Sequence, residues 1–195
     1  VLKRLTEKME SIVIAGGMAN NFLEFYGSDI KKSLKESDVS EICSEIVEFA
    51  KQNKCELVLP LDVTTSPGLD RKDETKTSNV NEIEDNHMIL DIGPQTVIKI
   101  KSMIDFASTV FWNGPVGVFE KKPFDKSTIE IAKYIAKRTH EKKINSFAGG
   151  GDTIAAMSLA GVKSDFTYVS TGGGALLELI EGKKLPGLVA LNILE

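Results

Sequence analysis

The chain has 195 residues, of which 42% are hydrophobic and 27% charged, with a formal net charge of -4. That balance fits one soluble globular unit with a sizeable core. With no basic excess or arginine-rich stripe, nucleic acid is excluded as the expected partner, and no apolar run approaches a membrane span. Two cysteines, Cys43 and Cys55, are too few for a disulfide framework or a zinc site, and the expected compartment is the cytosol.

The chain opens at Val1, and Leu2, Leu5 and Met9 fall at helical spacing, so the first element is a helix already under way. "SIVIAGGMANNFLEF" reads as a short buried strand, Ile12 to Ala15, turned by Gly16 and Gly17 into a helix near Met18 to Tyr26. "SDVSEICSEIVEFAKQNK" is an amphipathic helix, with Asp38 and Glu41 spaced as a capping box. "ELVLPL" is a strand. Residues 62–87 are polar and long for a loop, which predicts a hairpin or a functional excursion. "MILDIGP" is a strand, with Pro94 in the first turn of a helix that runs to about Phe106.

"TVFW" is the next strand, and "NGPVGVFE" follows it. Residues 126–139 read as a helix capped by Asp125 or Ser127. "INSFAGGG" is a strand and its turn, and "DTIAAMSLAG" a helix closed by Gly161. "FTYVSTGGG" is a strand with a second triple glycine, and "ALLELIEG" a helix closed by Gly182, with a last helical turn at "LPGLVAL". The alternation predicts an α/β, doubly wound, mainly parallel Rossmann-like sheet with helices on both faces. A helix in this pattern follows a strand, so a further strand is expected upstream of Val1, and the sheet is incomplete at its first strand.

Right-handed crossovers put the carboxyl ends of the strands on one edge, where ligands bind. Four loops there carry glycine: "IAGG", "WNGPVG", "FAGGG" and "VSTGGG". One Gly-Gly at such a turn is ordinary turn geometry. Two triple glycines, Gly149 to Gly151 and Gly172 to Gly174, point to amides that approach a phosphate at helix starts. Asp152 admits two readings, a helix cap or a ligand to a hard cation bridging to that phosphate, and spacing leaves both open. No G-x-x-x-x-G-K-[ST], no G-x-G-x-x-G after a strand and no G-x-S-x-G occurs. His87 and His140 read as surface residues. A phosphoryl transfer from or to an ionised carboxylate needs no protein base and fits this inventory. An α/β dehydrogenase, a nucleotide-binding fragment without catalysis and a purely structural domain are the rival readings.

Together "GGMANNF", "LDIGP", "FWNGPVGVFE", "FAGGGDT" and "STGGGALLELIEGKKLPG" resemble phosphoglycerate kinase, in order and over essentially all 195 residues. The resemblance implies that residues 1–195 are the carboxyl-terminal, nucleotide-binding domain of that two-domain enzyme of glycolysis, truncated at its start. The family passes a phosphoryl group between 1,3-bisphosphoglycerate and ADP, giving 3-phosphoglycerate and ATP, uses Mg²⁺ and is typically a cytosolic monomer. By resemblance, Gly16 and Gly17 border adenine, with Leu90 on another wall; Asn113, Pro115 and Val118 line the ribose side, and Glu120 bonds the ribose hydroxyls. Asp152 meets the metal; Gly151, Asp152 and Thr153 face the nucleotide phosphates; Ser170, Thr171 and Gly172 to Gly174 face the transferring group, with Gly151, Thr153, Gly173 and Gly174 as catalytic candidates. Two residues depart from the family string: Ala15 stands for a glycine before "GGMA", and Ile89 for a glycine at the adenine wall. The phosphoglycerate site and the lysines upstream of "VLKRL" belong to the part of the family pattern outside this sequence, so these 195 residues alone are expected to be inactive.

Overall fold

The computed structural model describes the whole chain except Thr171, Glu181, Gly187, Leu188 and residues 190–195. It contains helices α1 (Leu2–Thr6), α2 (Gly16–Phe25), α3 (Ser40–Gln52), α4 (Pro94–Phe106), α5 (Lys126–His140), α6 (Gly151–Ala160) and α7 (Gly173–Ile180). The strands are β1 (Ser11–Val13), β2 (Glu56–Val58), β3 (Asp62–Ser66), β4 (Lys76–Asn79), β5 (Met88–Ile92), β6 (Thr109–Trp112), β7 (Asn145–Gly149) and β8 (Tyr168–Ser170). The architecture is α/β with mainly parallel pairing. β1 pairs with β2, and β6, β7 and β8 form a second parallel group in chain order. Among the described residues no helix is long and apolar enough to cross a membrane.

Residues 62–87 do hold a hairpin, and it recruits β5: the order is β4-β3-β5, antiparallel throughout. Nothing in an apolar run such as "MILDI" distinguishes parallel from antiparallel partners, and here the neighbouring hairpin decides. Two apolar clusters hold the helices. Phe22, Cys43 and Ile46 pack with Ile14 beside β1, while Ile100, Trp112, Ile131, Ile135, Met157 and Phe166 join α4, α5 and α6 to β6 and β7. Both cysteines are free and buried, and burial pushes their thiols up, which makes them inert core residues. A largely apolar cavity of ≈ 420 Å³ lies between the two parallel groups, lined by Ile12 and Val13 of β1, Val110 and Phe111 of β6, and by Leu5, Ile100 and Ile135.

Several helix starts differ from expectation. The capping box is not made: Asp38 takes φ 57, Val39 is the N-cap, and no side chain caps α3. A residue in the left-handed region turns its side chain away from the helix it would cap, which explains the loss. Neither Asp125 nor Ser127 caps α5 through its side chain; Asp125 is the N-cap and Ser127 lies inside the helix. α2 begins at Gly16, earlier than Met18. His87 is buried, with its ring Nδ1 3.0 Å from Thr65 Oγ1 and its Nε2 3.2 Å from a Glu84 carboxylate oxygen, whereas His140 is exposed. Gly161 closes α6 in the left-handed conformation, as its sequence position predicts. The last turn at "LPGLVAL" lies largely outside the described residues.

α4 is anchored from below by Asp62, which is 3% exposed. Its carboxylate accepts the amides of Gln95 (3.0 Å) and Thr96 (2.8 Å) and the Thr96 hydroxyl (2.7 Å). The carboxylate occupies the space a side chain on Gly93 would need. Charge-assisted bonds from a helix start to a buried carboxylate are among the stronger polar contacts. Asp62→Ala is therefore expected to lower stability by about 3 kcal/mol, read from the urea midpoint at unchanged slope. A loss below about 1 kcal/mol would show that α4 does not depend on this anchor.

Candidate functional site

The carboxyl ends of β6, β7 and β8 share one sheet edge, β1 of the separate β1-β2 pair brings Gly16 toward it, and the loop after β6, residues 113–120, is the hub. Trp112 closes the loop's first turn, its indole donating to Gly114 O at 2.6 Å. The Gly114 amide donates to Thr153 Oγ1 at 2.7 Å, tying the loop to the first turn of α6. A Cβ built on Gly16 would lie 3.8 Å from Pro115 O, so the start of α2 faces the same loop. Val116 N donates to Thr128 Oγ1 (3.1 Å), and Val118 N to Leu90 O (2.8 Å), which joins the loop to α5 and β5. Gly16, Leu90, Pro115 and Val118 are thereby brought into one neighbourhood; Asn113 and Glu120 stand exposed on the same loop.

The phosphate side of the edge is built from β7, β8 and α6. Gly149 pairs with Ser170, so the ends of β7 and β8 are level. Gly150 is the N-cap of α6 with φ 96, where L side chains are strained. A Cβ there would also come within 3.1 Å of Asn113 Oδ1 and 3.4 Å of Thr153 Oγ1. Glycine is thus required at 150 by conformation and by space. Intrahelical bonding begins with Ile154 N to Gly150 O. Among the described residues no acceptor takes the amides of Gly151, Asp152 and Thr153, and no side chain caps the helix.

Asp152 is the second residue of α6 and exposed, so the cap alternative is not realised. Thr153 is buried, its hydroxyl engaged with the hub loop; its backbone amide is the group left for a ligand. Gly172 and Gly174 are exposed where α7 begins, Gly173 is its first residue, and Thr171 lies outside the described residues. Among the described residues no group of three or more His, Cys, Asp or Glu could hold a metal ion. Sequence reasoning missed Leu34. It is 77% exposed, and a Cβ on Gly17 would lie 3.5 Å from its Cδ2. The buried Asn20 holds Leu34 in place by donating to Leu34 O at 2.9 Å. Leu34 thus lies beside the start of α2, a neighbourhood visible only in three dimensions.

A model of the phosphoglycerate kinase family matches residues 1–183. The chain belongs to the phosphoglycerate kinase family. It is 47% identical to phosphoglycerate kinase of Chelativorans sp. and 48% identical to that of Xanthobacter autotrophicus, each over 192 residues that make up 98% of this chain and 48% of the relative. The solved phosphoglycerate kinase from Coxiella burnetii has a TM-score of 0.90 at 36% identity, and that from Pyrococcus horikoshii OT3 0.80 at 28%; both comparisons cover 98% of this chain and 48% of the other. The chain spans about half the length of the phosphoglycerate kinases it matches.

Beneath the hub loop lies Asp91 of β5, 3% exposed. Burial pushes its carboxyl up to about 7 against the hydrogen bonds from Ser127 and Ile92, which lower it; the charge of Asp125 at the start of α5 adds to the rise. In the unfolded chain the same group titrates near ~3.9. Between these values the folded state holds a proton that the unfolded state has lost. The stability Asp91 contributes is therefore complete below about pH 4 and lost as pH rises through about 7. Asp91→Asn is expected to abolish this component: the stability of the parent relative to the variant falls steadily between about pH 4.5 and 7, then levels. Urea unfolding of both proteins at matched pH measures it, and a constant difference would refute the assignment.

Proposed function

We propose that this chain supplies the Mg-nucleotide half of an enzyme that transfers a phosphoryl group between 1,3-bisphosphoglycerate and ADP, giving 3-phosphoglycerate and ATP. The carrying observation is the convergence around the loop after β6 of Gly16, Asn113, Pro115, Gly150 and Thr153, with three helix-start amides that no acceptor among the described residues takes. On this reading Gly16, Gly17, Leu90, Pro115 and Val118 hold the base and sugar, and Glu120 accepts from the ribose hydroxyls. The amides of Gly151, Asp152 and Thr153 receive the phosphates at the positive end of α6, and Ser170 and Thr171 with Gly172 to Gly174 face the transferring group.

The reaction makes small demands on side chains. A β-phosphate oxygen of ADP forms the new bond to phosphorus as the bond from phosphorus to the carboxyl oxygen breaks. The departing carboxylate keeps the electron pair, so no proton need be moved, and position and charge stabilisation suffice. Asp152 suits Mg²⁺: one exposed carboxylate beside a phosphate cradle is the donor set this ion takes, completed by phosphate oxygens and water. When bound, the ion neutralises phosphate charge. The family's second substrate belongs, on this reading, to the part of the protein outside these residues. The working enzyme is a cytoplasmic monomer that brings its two substrates together by domain closure.

Two measurements test the proposal. MgADP titrated calorimetrically into the 195-residue chain is expected to bind without supporting phosphorylation of 3-phosphoglycerate. In the complete enzyme, Asp152→Ala is expected to cut magnesium-dependent kcat/KM by on the order of 10²-fold, and unchanged turnover would remove Asp152 from the metal site.

A further inference from the structure

Asp91 lies within the "LDIGP" string, which assigns it no role, yet it occupies the corner where β5, the hub loop and α5 meet. Its Oδ2 accepts the amide of Ser127, the second residue of α5, at 3.0 Å, and its Oδ1 accepts that of Ile92 at 2.9 Å. Gly117, mid-loop, presses its backbone on the same carboxyl. A Cβ on Gly117 would stand 2.9 Å from Asp91 Cα and would overlap the carboxyl group. The residues on either side of Gly117 are the ones tied down, Val116 to Thr128 and Val118 to Leu90. Ser127 Oγ completes the corner by donating to Ile92 O at 3.0 Å. The carboxyl thus does two jobs at once. It satisfies a helix-start amide, and it sets the height at which the loop crosses β5.

We propose that Asp91 is a positioning residue for nucleotide binding: by accepting the Ser127 amide and seating Gly117, it fixes Pro115 and Val118 against Leu90 and so shapes the wall on which the base and ribose of ADP rest. The inference rests on the nucleotide site proposed above. Asp91 itself touches no substrate. A residue that served stability alone would change the unfolding midpoint and leave both Michaelis constants of the folded enzyme untouched; a positioning residue shifts one substrate and spares the other.

The test uses the complete enzyme and two variants. Asp91→Asn keeps the size but turns one acceptor into a donor that opposes an amide. Gly117→Ala keeps the carboxyl and drives a methyl group into it. Each is expected to raise KM and Kd for ADP roughly tenfold, the worth of one buried hydrogen bond, with kcat within about twofold and KM for the phosphoglycerate substrate unchanged. Nucleotide constants within about twofold of the parent in both variants, or an equal rise for both substrates, would overturn the proposal. If Asp91→Asn does not fold, Gly117→Ala decides. A parent enzyme that neither binds ADP nor transfers phosphoryl would instead defeat the nucleotide site, a result distinct from an active parent with indifferent variants.

Discussion

A helix start presents amides that need acceptors, and this chain meets that need in two opposite ways. Under α4 and α5 it buries a carboxylate, Asp62 and Asp91, each taking amides of the first turn. At α6 none of the described residues provides one: Gly150, Gly151 and an outward Asp152 leave the amides unclaimed among them. Leaving donors unclaimed costs stability unless water or a ligand takes them. Helices satisfied from within can lock the scaffold, and an unsatisfied start on a glycine turn is where an anion gains most. On the function proposed above, the same physics separates the structural helix starts from the one that receives the ligand.

The glycines follow from this division. Gly93 and Gly117 are not turn glycines in the usual sense, because in each case a carboxyl group stands where a side chain would be. "LDIGP" and "GPVG" are thus two halves of one packing arrangement, written 25 or more residues apart. Gly150 is different. Its φ of 96 and the nearby Asn113 carbonyl oxygen both exclude a side chain, and the result is bare backbone facing solvent. One residue type is used in one place to admit a buried carboxyl group and in another to expose peptide nitrogen.

Much of this was legible in the residues. The order of helices and strands follows apolar periodicity, and the ends of α4 and α6 follow Pro94 and Gly161, whose backbone restrictions act locally. Local signals do not encode partners. The antiparallel seat of β5 depends on a hairpin 20 residues upstream, and His87 is drawn inside by Thr65 and Glu84 rather than by any pattern around it. The Asp38–Glu41 pair satisfied a capping spacing but failed because the backbone at Asp38 enters the left-handed region. For the proposed site, spacing pointed to the glycine loops and left Asp152 open between cap and metal ligand, and Asn113, Pro115, Val118 and Glu120 entered only by family resemblance. Leu34 and Asp91 were not readable, since the roles of both depend on what long-range folding lays beside them.

The site's openness bears on what half a molecule can do. Asn113, Glu120, Gly151, Asp152 and Gly172 are all exposed along the edge, which suits capture of a charged, extended ligand. It does not suit transfer of a phosphoryl group, because water at an open edge weakens every electrostatic contact and competes as acceptor. The scaffold beneath, with β5, the hub loop and two helices pinned to buried carboxylates, is built to hold one wall still. A rigid wall with an open front binds well and catalyses poorly, and the front must be covered before position and charge can act on the transferring group. On the function proposed above, that is the physical ground on which these 195 residues would bind and the complete enzyme would turn over.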